Sequence, residues 1–347
     1  LSTPSDYSSA IIDGLRALAL EGHFSMKSIR EVAHGTTLGT NAVLERKGAK
    51  TALITTTGFR DVMTFRRGRQ GDPFDLNWDR PEPLVPRRHR IGISARIDSM
   101  GRVVRPVEAE EIKNAAKTLR EWGIESVAIS LINSYANGEQ EAEIRDLLHT
   151  YAKDLYVSLS SELLPLIGEY ERTSTTIANA YIAPIIDLYL GNLRIALDRE
   201  GINGPLFVCQ SSGGLFLHSF ARKKPVLTLE SGPAAGCVAA RQYAREMGCR
   251  NAVAMDMGGT TTKATFIQDG ELDWATQFAI GSPMSTGSHL DNGQGYIIQT
   301  PSIDVAEVGA GGGSIAWIDD GGVLHIGPES AGASPGPACY GLGGSLP

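Results

Sequence analysis

The chain has 347 residues, 42% of them hydrophobic and 20% charged, and carries a formal charge of −7 without any basic block. This is the balance of a globular protein long enough for two lobes with a cleft between them. It leaves no electrostatic footprint for nucleic acid or an anionic membrane, so a small molecule is the expected ligand.

Forty glycines exceed ordinary usage and imply many tight backbone passages. Cys209, Cys237, Cys249 and Cys339 lie far apart with no CxxC pair and no histidine at zinc-ligand spacing, so neither a metal knuckle nor a disulfide framework is expected. Reduced thiols, no apolar run of about 18 residues and no leader-like start together predict a cytoplasmic protein without a membrane span.

In chain order, residues 8–20 place apolar side chains at helical spacing, with Gly22 as the stop. The polar turn HGTTLGTN follows at His34–Asn41, before a helix and a β-rich stretch at Thr51–Thr55. Residues 60–90 are rich in Arg, Asp and Pro, follow neither period and read as an insertion, with Arg66, Arg67, Arg69 and Asp72 available to a substrate mouth. Helix and strand then alternate: Glu108–Trp122, Ser126–Leu131, Gly138–Tyr151 and Leu155–Leu159, which predicts a helix-covered sheet. From Leu164 to Arg199 a long apolar helix is expected to break at Pro184 and to link the lobes, with Glu169, Glu171 and Arg172 on a solvated or salt-bridged face. Beyond it, PLFVCQ, AVAMDM and KATFIQ read as buried strands, and SGPAAGCVAARQYAREMG as a helix entered through a Gly-Pro turn. The chain is therefore expected to be α/β, with a first lobe over residues 1–200 and a second over 201–347.

The sharpest chemical signal is NAVAMDMGGTTTKAT at Asn251–Thr265. A strand reaches Asp256, turns on Gly258 and Gly259, and leaves through Thr260 and Thr261 along a second strand. Glycines let backbone N–H groups approach a phosphate, threonine hydroxyls add donors, and an aspartate at a strand end can hold Mg²⁺. An ordinary Gly-Gly hairpin has the same local pattern, and a Walker-type loop is excluded because GxxxxGK[ST] is absent.

The run VGAGGGSIA supplies Gly309, Gly311, Gly312, Gly313 and Ser314 and resumes as a strand, which argues against a dinucleotide fingerprint. It is expected to lie across the cleft from the Asp256 turn, facing the same nucleotide; a flexible linker is the plainer alternative. ESGPAAG at Glu230–Gly236 opens a helix, so Gly232 is readable either as part of an anion site or as simple capping. His34 is a candidate catalytic residue, although a lone histidine in such a turn is often structural.

The succession HGTTLGTNAVLERKGAKTALITTTGFRDV, EYERTSTTIANAYIAP, QSSGGL, ESGPAAG, DMGGTTTK and VGAGGGSIA resembles the hydantoinase A/5-oxoprolinase family over nearly the whole chain. That resemblance implies an actin/hexokinase-like fold of paired ribonuclease-H-like lobes with a substrate-side insertion. It implies ATP and Mg²⁺ as cofactors and a cyclic amide or ketone as substrate. A B-type partner subunit and a possible homodimer are implied as well.

Carried over by motif, Asp256, Gly258, Gly259 and Thr260 match the family's second phosphate turn, and Gly311–Ser314 its glycine-rich nucleotide-side loop. His34, Gly35, Thr36 and Thr37 match its first-lobe signature, which together with Asn41 is assigned to the substrate. The family opens with a DxGGTFTD-like turn upstream of LSTP and continues past GGSLP, so the chain is expected to be a fragment. Lys263 stands where many relatives carry aspartate, and Ala306 where some carry histidine. The resemblance implies ATP-dependent opening of a hydantoin, 5-oxoproline or lactam ring; a ketone carboxylase subunit and a non-catalytic nucleotide-binding module are the alternatives.

Overall fold

The computed structural model describes residues 7–68, 74, 81–259, 261–281, 284–285, 295–308, 310–332 and 335–345. Its elements in chain order begin with α1 (Tyr7–Glu21), β1 (Val32–His34), α2 (Leu38–Leu44), β2 (Thr51–Thr56) and β3 (Arg90–Ile93). Next come α3 (Ala109–Glu121), β4 (Ser126–Ser130), α4 (Glu139–Tyr151), β5 (Tyr156–Leu159) and α5 (Glu169–Arg199). The remainder includes β6 (Leu206–Cys209), β7 (Leu215–Leu217), α6 (Ser231–Glu246), β8 (Ala252–Met257), β9 (Thr262–Gln268), β10 (Ala306–Val308), β11 (Ser314–Ile318) and β12 (Leu324–Ser330).

The first sheet runs β3-β2-β4-β5 and all its pairings are parallel. Residues on both faces of β2 and β4 are buried, as in parallel sheets covered on both sides. One cover is α3, where Ile112, Ala115, Ala116 and Leu119 recur at helical spacing and are buried, while Glu110 and Glu111 at the start and Arg120 at the end complement the helix dipole. The alternation expected from 108 to 159 is thus realised.

The second cover is α5, which packs on β2, β4 and β5 and also meets α1 and α2. It runs without a break through Pro184. A helix-interior proline costs about 3 kcal/mol, and burial of Ile182, Ile186, Leu190 and Leu193 along the helix offsets it. This helix is a core element, and it also packs against Tyr296–Ile298 and the His218–Lys223 helix beyond position 200. It is long and apolar enough by length and composition to cross a membrane, a run missed in the sequence because Arg, Asp and Glu punctuate it; half of that apolar window lies inside the fold, and Leu188 and Ile195 remain exposed.

Glu171 and Arg172, read as a solvated or salt-bridged face, are only 4% and 2% exposed. Glu171 pairs with Arg67, and Arg172 donates to the carbonyls of Leu131 and Leu166. Arg66 bonds to the Tyr170 hydroxyl at 2.8 Å, so part of the insertion is pinned to the core; Arg69 and Asp72 lie outside the described residues.

In a second sheet β1 lies parallel to β6, which pairs antiparallel with β7. This pairing crosses position 200, because residues 32–34 find their partner at 206–208. The third sheet runs β8-β9-β10 and on to the short strand Met284–Ser285, with α6 against β8 and β9. AVAMDM is not buried as expected: Val253, Met255 and Met257 are exposed, since α6 covers only one face of this sheet.

Candidate active site

The Gly-Gly hairpin forms as predicted. β8 and β9 pair antiparallel with Asp256 opposite Lys263, and the Gly258 amide closes the turn onto the Thr261 carbonyl at 2.9 Å. Asp256, Gly258 and Gly259 are exposed at the strand end, and Thr260 lies outside the described residues.

The glycine run does not lie across a cleft from this turn. β10 pairs with β9, setting Thr262 opposite Val308, so the run emerges beside the turn. There the Gly312 and Gly313 amides donate to the Gly258 and Gly259 carbonyls at 2.9 and 2.7 Å. The Gly311 amide donates to the Ser314 hydroxyl at 2.8 Å, and Thr262 donates its hydroxyl to the Ala310 carbonyl at 2.6 Å. Gly309 lies outside the described residues. The amides of Gly311, Gly312 and Gly313 are all occupied, so this part of the run buttresses the turn.

None of Gly258, Gly259 or Gly311–Gly313 has a positive φ. What glycine provides here is room. A Cβ on Gly313 would lie 2.9 Å from the Gly259 carbonyl oxygen, whereas one on Gly259 would meet nothing within 4 Å.

The second cluster forms where β1 ends. His34 and the Gly35-Thr36-Thr37 turn rest on the N-terminus of α6: the Ser231 hydroxyl donates to the Thr36 carbonyl at 2.9 Å and accepts from its amide at 3.3 Å. The Glu230 amide donates to the Thr40 hydroxyl at 3.1 Å, and a Cβ on Gly232 would come within 3.3 Å of the Thr37 methyl group. Gly35, Thr37 and Asn41 are exposed at this edge, while Thr36 is half-buried.

His34 Nε2 lies 2.6 Å from the Tyr189 hydroxyl. Burial lowers the imidazole pKa to about 4 and pushes the tyrosine up to about 12. Both are neutral near pH 7, which makes His34 a weak base in this state.

What joins the clusters is Lys263 with two carboxylates, an ion-pair grouping that the sequence reading did not assemble. Lys263 Nζ is held between Glu230 and Glu307, the latter at 3.5 Å. Burial works against the charge on Lys263, but the two carboxylates outweigh it and hold its pKa above the usual value. Burial, reinforced by the Glu230 charge, pushes the Glu307 carboxyl up despite Lys263.

Glu230 sits in the left-handed region at φ 58°, uncommon for a residue with a Cβ and a conformation that concentrates at functional sites. It was visible inside ESGPAAG, but as the start of a helix. Glu307 is isolated in the sequence, and only the register Lys263 opposite Glu307 brings it to the lysine.

Models of two regions of one family match the chain: hydantoinase/oxoprolinase over residues 172–347 and the hydantoinase/oxoprolinase N-terminal region over residues 1–152. An uncharacterised protein of Methanocaldococcus jannaschii is 38% identical over all of this chain and 51% of its own length. The caprolactamase subunit alpha of Pseudomonas jessenii is 36% identical over all of this chain and 49% of its own. The chain thus spans about half the length of these relatives.

Among solved structures, nucleotide-free acetone carboxylase superposes with a TM-score of 0.82 at 26% identity, over 99% of this chain and 49% of the other. The ATP-dependent caprolactamase of Pseudomonas jessenii superposes with a TM-score of 0.81 at 34% identity, over 100% and 49%. The architecture is the expected mixed α/β, actin/hexokinase-like one. By its motifs, its fold and both regional matches, the chain belongs to the hydantoinase/oxoprolinase family, whose members include ATP-dependent cyclic-amide hydrolases and carboxylase subunits.

Proposed function

We propose that this chain carries the phosphate-handling and substrate-activating part of an ATP-dependent cyclic-amide hydrolase. The observation that carries the reading is the exposed Asp256-Met257-Gly258-Gly259 turn, held in shape by the glycine run and tied through Lys263 and Glu230 to the His34–Thr37 turn. One scaffold thereby presents a phosphate-sized backbone turn and a polar substrate edge.

In this reading the amide carbonyl oxygen attacks the γ-phosphorus of ATP, and the bond to the β-bridging oxygen breaks as ADP leaves. Water adds to the activated carbon and the C–N bond breaks, releasing the ring nitrogen as an amine. The resulting acyl phosphate is hydrolysed to carboxylate and phosphate. The chain contributes positioning and charge neutralisation, which dominate phosphoryl transfer.

Asp256 suits Mg²⁺, which takes one or two carboxylates and completes its shell with water and phosphate oxygens. Among the described residues no three His, Cys, Asp or Glu side chains are grouped closely enough to hold a metal ion by themselves. Bound there, the ion would offset charge on the transferring phosphoryl group. Gly258, Gly259, Thr260 and Thr261 would meet the phosphates, with Gly309, Gly311–Gly313 and Ser314 behind them. Gly35, Thr36, Thr37 and Asn41 would face the substrate, and His34 would act as a neutral hydrogen-bonding group beside Tyr189.

A B-type partner subunit, a cytoplasmic setting suited to four free cysteines and possible self-association complete the reading. The similarity to acetone carboxylase supports a second one, in which the same turn serves phosphorylation during ketone carboxylation. The deciding experiment is ATP hydrolysis by the full-length protein with its B-type partner, with a lactam, hydantoin or 5-oxoproline added, or a ketone with bicarbonate. Stimulation by a cyclic amide alone supports the hydrolase; stimulation only by ketone with bicarbonate overturns it.

A further inference from the structure

Below the triad lies a cavity of about 600 Å³. Its wall is mostly apolar, formed by Leu44, Phe278, Ile280, Ile303, Val305 and Trp317. The polar exceptions gather on a few residues. Glu230, Glu307 and Asp304 line it, whereas no lysine or arginine does so among the described residues. Lys263 is already committed to Glu230 and Glu307.

A further observation points to an absent ligand. Ser302 lines the cavity and is 4% exposed, yet its hydroxyl has no hydrogen-bond partner. Its backbone is engaged in strand pairing with Ala275, so the side chain alone is unspent. A buried hydroxyl without a partner is destabilising, and a ligand carrying a carbonyl or an N–H would satisfy it.

We infer that this cavity, with Ser302 and the Glu230–Lys263–Glu307 triad, binds the ring of an uncharged lactam and rejects substrates that carry a carboxylate. The inference rests on the cyclic-amide reading above and narrows it. The apolar wall takes the ring methylenes, the Ser302 hydroxyl pairs with the amide, and a carboxylate provides an acceptor for the lactam N–H. A second anion in the same space would face Glu230 and Glu307, two carboxylates balanced by one lysine. At about 5 Å and an effective dielectric near 20, one uncompensated like charge weakens binding on the order of a hundredfold. The same charge disfavours a nucleotide triphosphate here and leaves it to the exposed Asp256 turn.

The matched probes are 2-pyrrolidinone and 5-oxoproline, which share a five-membered lactam ring and differ by a carboxylate. Saturation-transfer NMR on the full chain without ATP should detect 2-pyrrolidinone binding, with 5-oxoproline about a hundredfold weaker. Ser302→Ala should weaken 2-pyrrolidinone about three- to tenfold. Glu307→Gln should narrow the ratio between the two probes about tenfold or more, a change that a purely structural role would not produce; near-UV circular dichroism verifies that both variants fold.

Equal or tighter binding of 5-oxoproline, no binding of 2-pyrrolidinone, or its displacement by adenosine would overturn the inference. ATP hydrolysis with the partner subunit separates the two levels. Stimulation by 5-oxoproline but not 2-pyrrolidinone sinks the inference and keeps the cyclic-amide reading. Lactam binding without lactam-stimulated hydrolysis keeps the cavity assignment and sinks that reading.

Discussion

The Gly313 amide donates to the Gly259 carbonyl at 2.7 Å, so two glycine motifs 54 residues apart in sequence (313 − 259) form one backbone structure. Neither adopts a left-handed conformation. The close approach of the two main chains leaves no room for a Cβ on Gly313.

That geometry ranks the glycines of the run. Gly313→Ala would drive a methyl group to 2.9 Å from the Gly259 carbonyl and 3.0 Å from the Ser330 hydroxyl, while Gly312→Ala meets nothing closer than 3.8 Å. Gly313→Ala is expected to raise the KM for ATP about tenfold or more through displacement of the turn, consistent with the sensitivity of positioned sites to small shifts. Gly312→Ala should change it less than about threefold. Equal effects of the two substitutions would show that the run does not act through this contact.

Asp256 is exposed, so its replacement should leave the fold intact. Asp256→Ala is expected to lower ATP turnover on the order of a hundredfold, the scale seen when one preorganised electrostatic group is removed. Unchanged hydrolysis together with an unchanged circular dichroism spectrum removes Asp256 from the phosphate site.

Lys263 separates two carboxylates whose side chains are 20% and 23% exposed. Lys263→Met leaves them facing each other and is expected to cost about 2–4 kcal/mol in urea unfolding. Adding Glu307→Gln to that variant should recover a good part of the loss by removing one of the opposed charges. A double variant as unstable as the single one would mean that packing of the lysine stem, and not charge, is what the triad supplies.

Because burial depresses the His34 pKa to about 4, its contribution to stability is fully present above the unfolded value near 6.5. As pH falls the unfolded chain takes up the proton first, and stability drops between about 6.5 and about 4, by up to roughly 3 kcal/mol. His34→Gln should flatten this segment of the profile. Urea midpoints at pH 7, 5.5 and 4.5 check it, and parallel profiles for both proteins would refute the assignment.

Local pattern was enough for the α/β class and for most elements between residues 108 and 257. Amphipathic spacing in α3 and turn chemistry at Gly258-Gly259 act over a few residues, and the structure forms them where the sequence places them. The fate of α5 was not legible. Its length and apolar content can be read from 169–199, but whether those residues join lobes, cross a membrane or fill a core depends on which sheets come to lie against it. For the same reason the salt bridge expected around Glu171 and Arg172 does form, from Glu171 to Arg67, but within the core, because the burial of these residues depends on distant partners such as Arg67 and Leu131.

The candidate site divides in the same way. Asp256, the two turn glycines and the His34–Thr37 signature are contiguous motifs and could be named from the chain alone. Lys263 acquires its meaning only from register: one antiparallel pairing sets it opposite Asp256, another sets it opposite Glu307, and the start of α6 brings Glu230 to it. Composition, periodicity and turn chemistry therefore determined which elements form and where the Gly258-Gly259 hairpin stands. Strand register and helix packing, which join residues far apart in the chain, decided that both glycine motifs share one side of the site and that Glu230 and Glu307, paired with Lys263, reach the wall of a mostly apolar cavity.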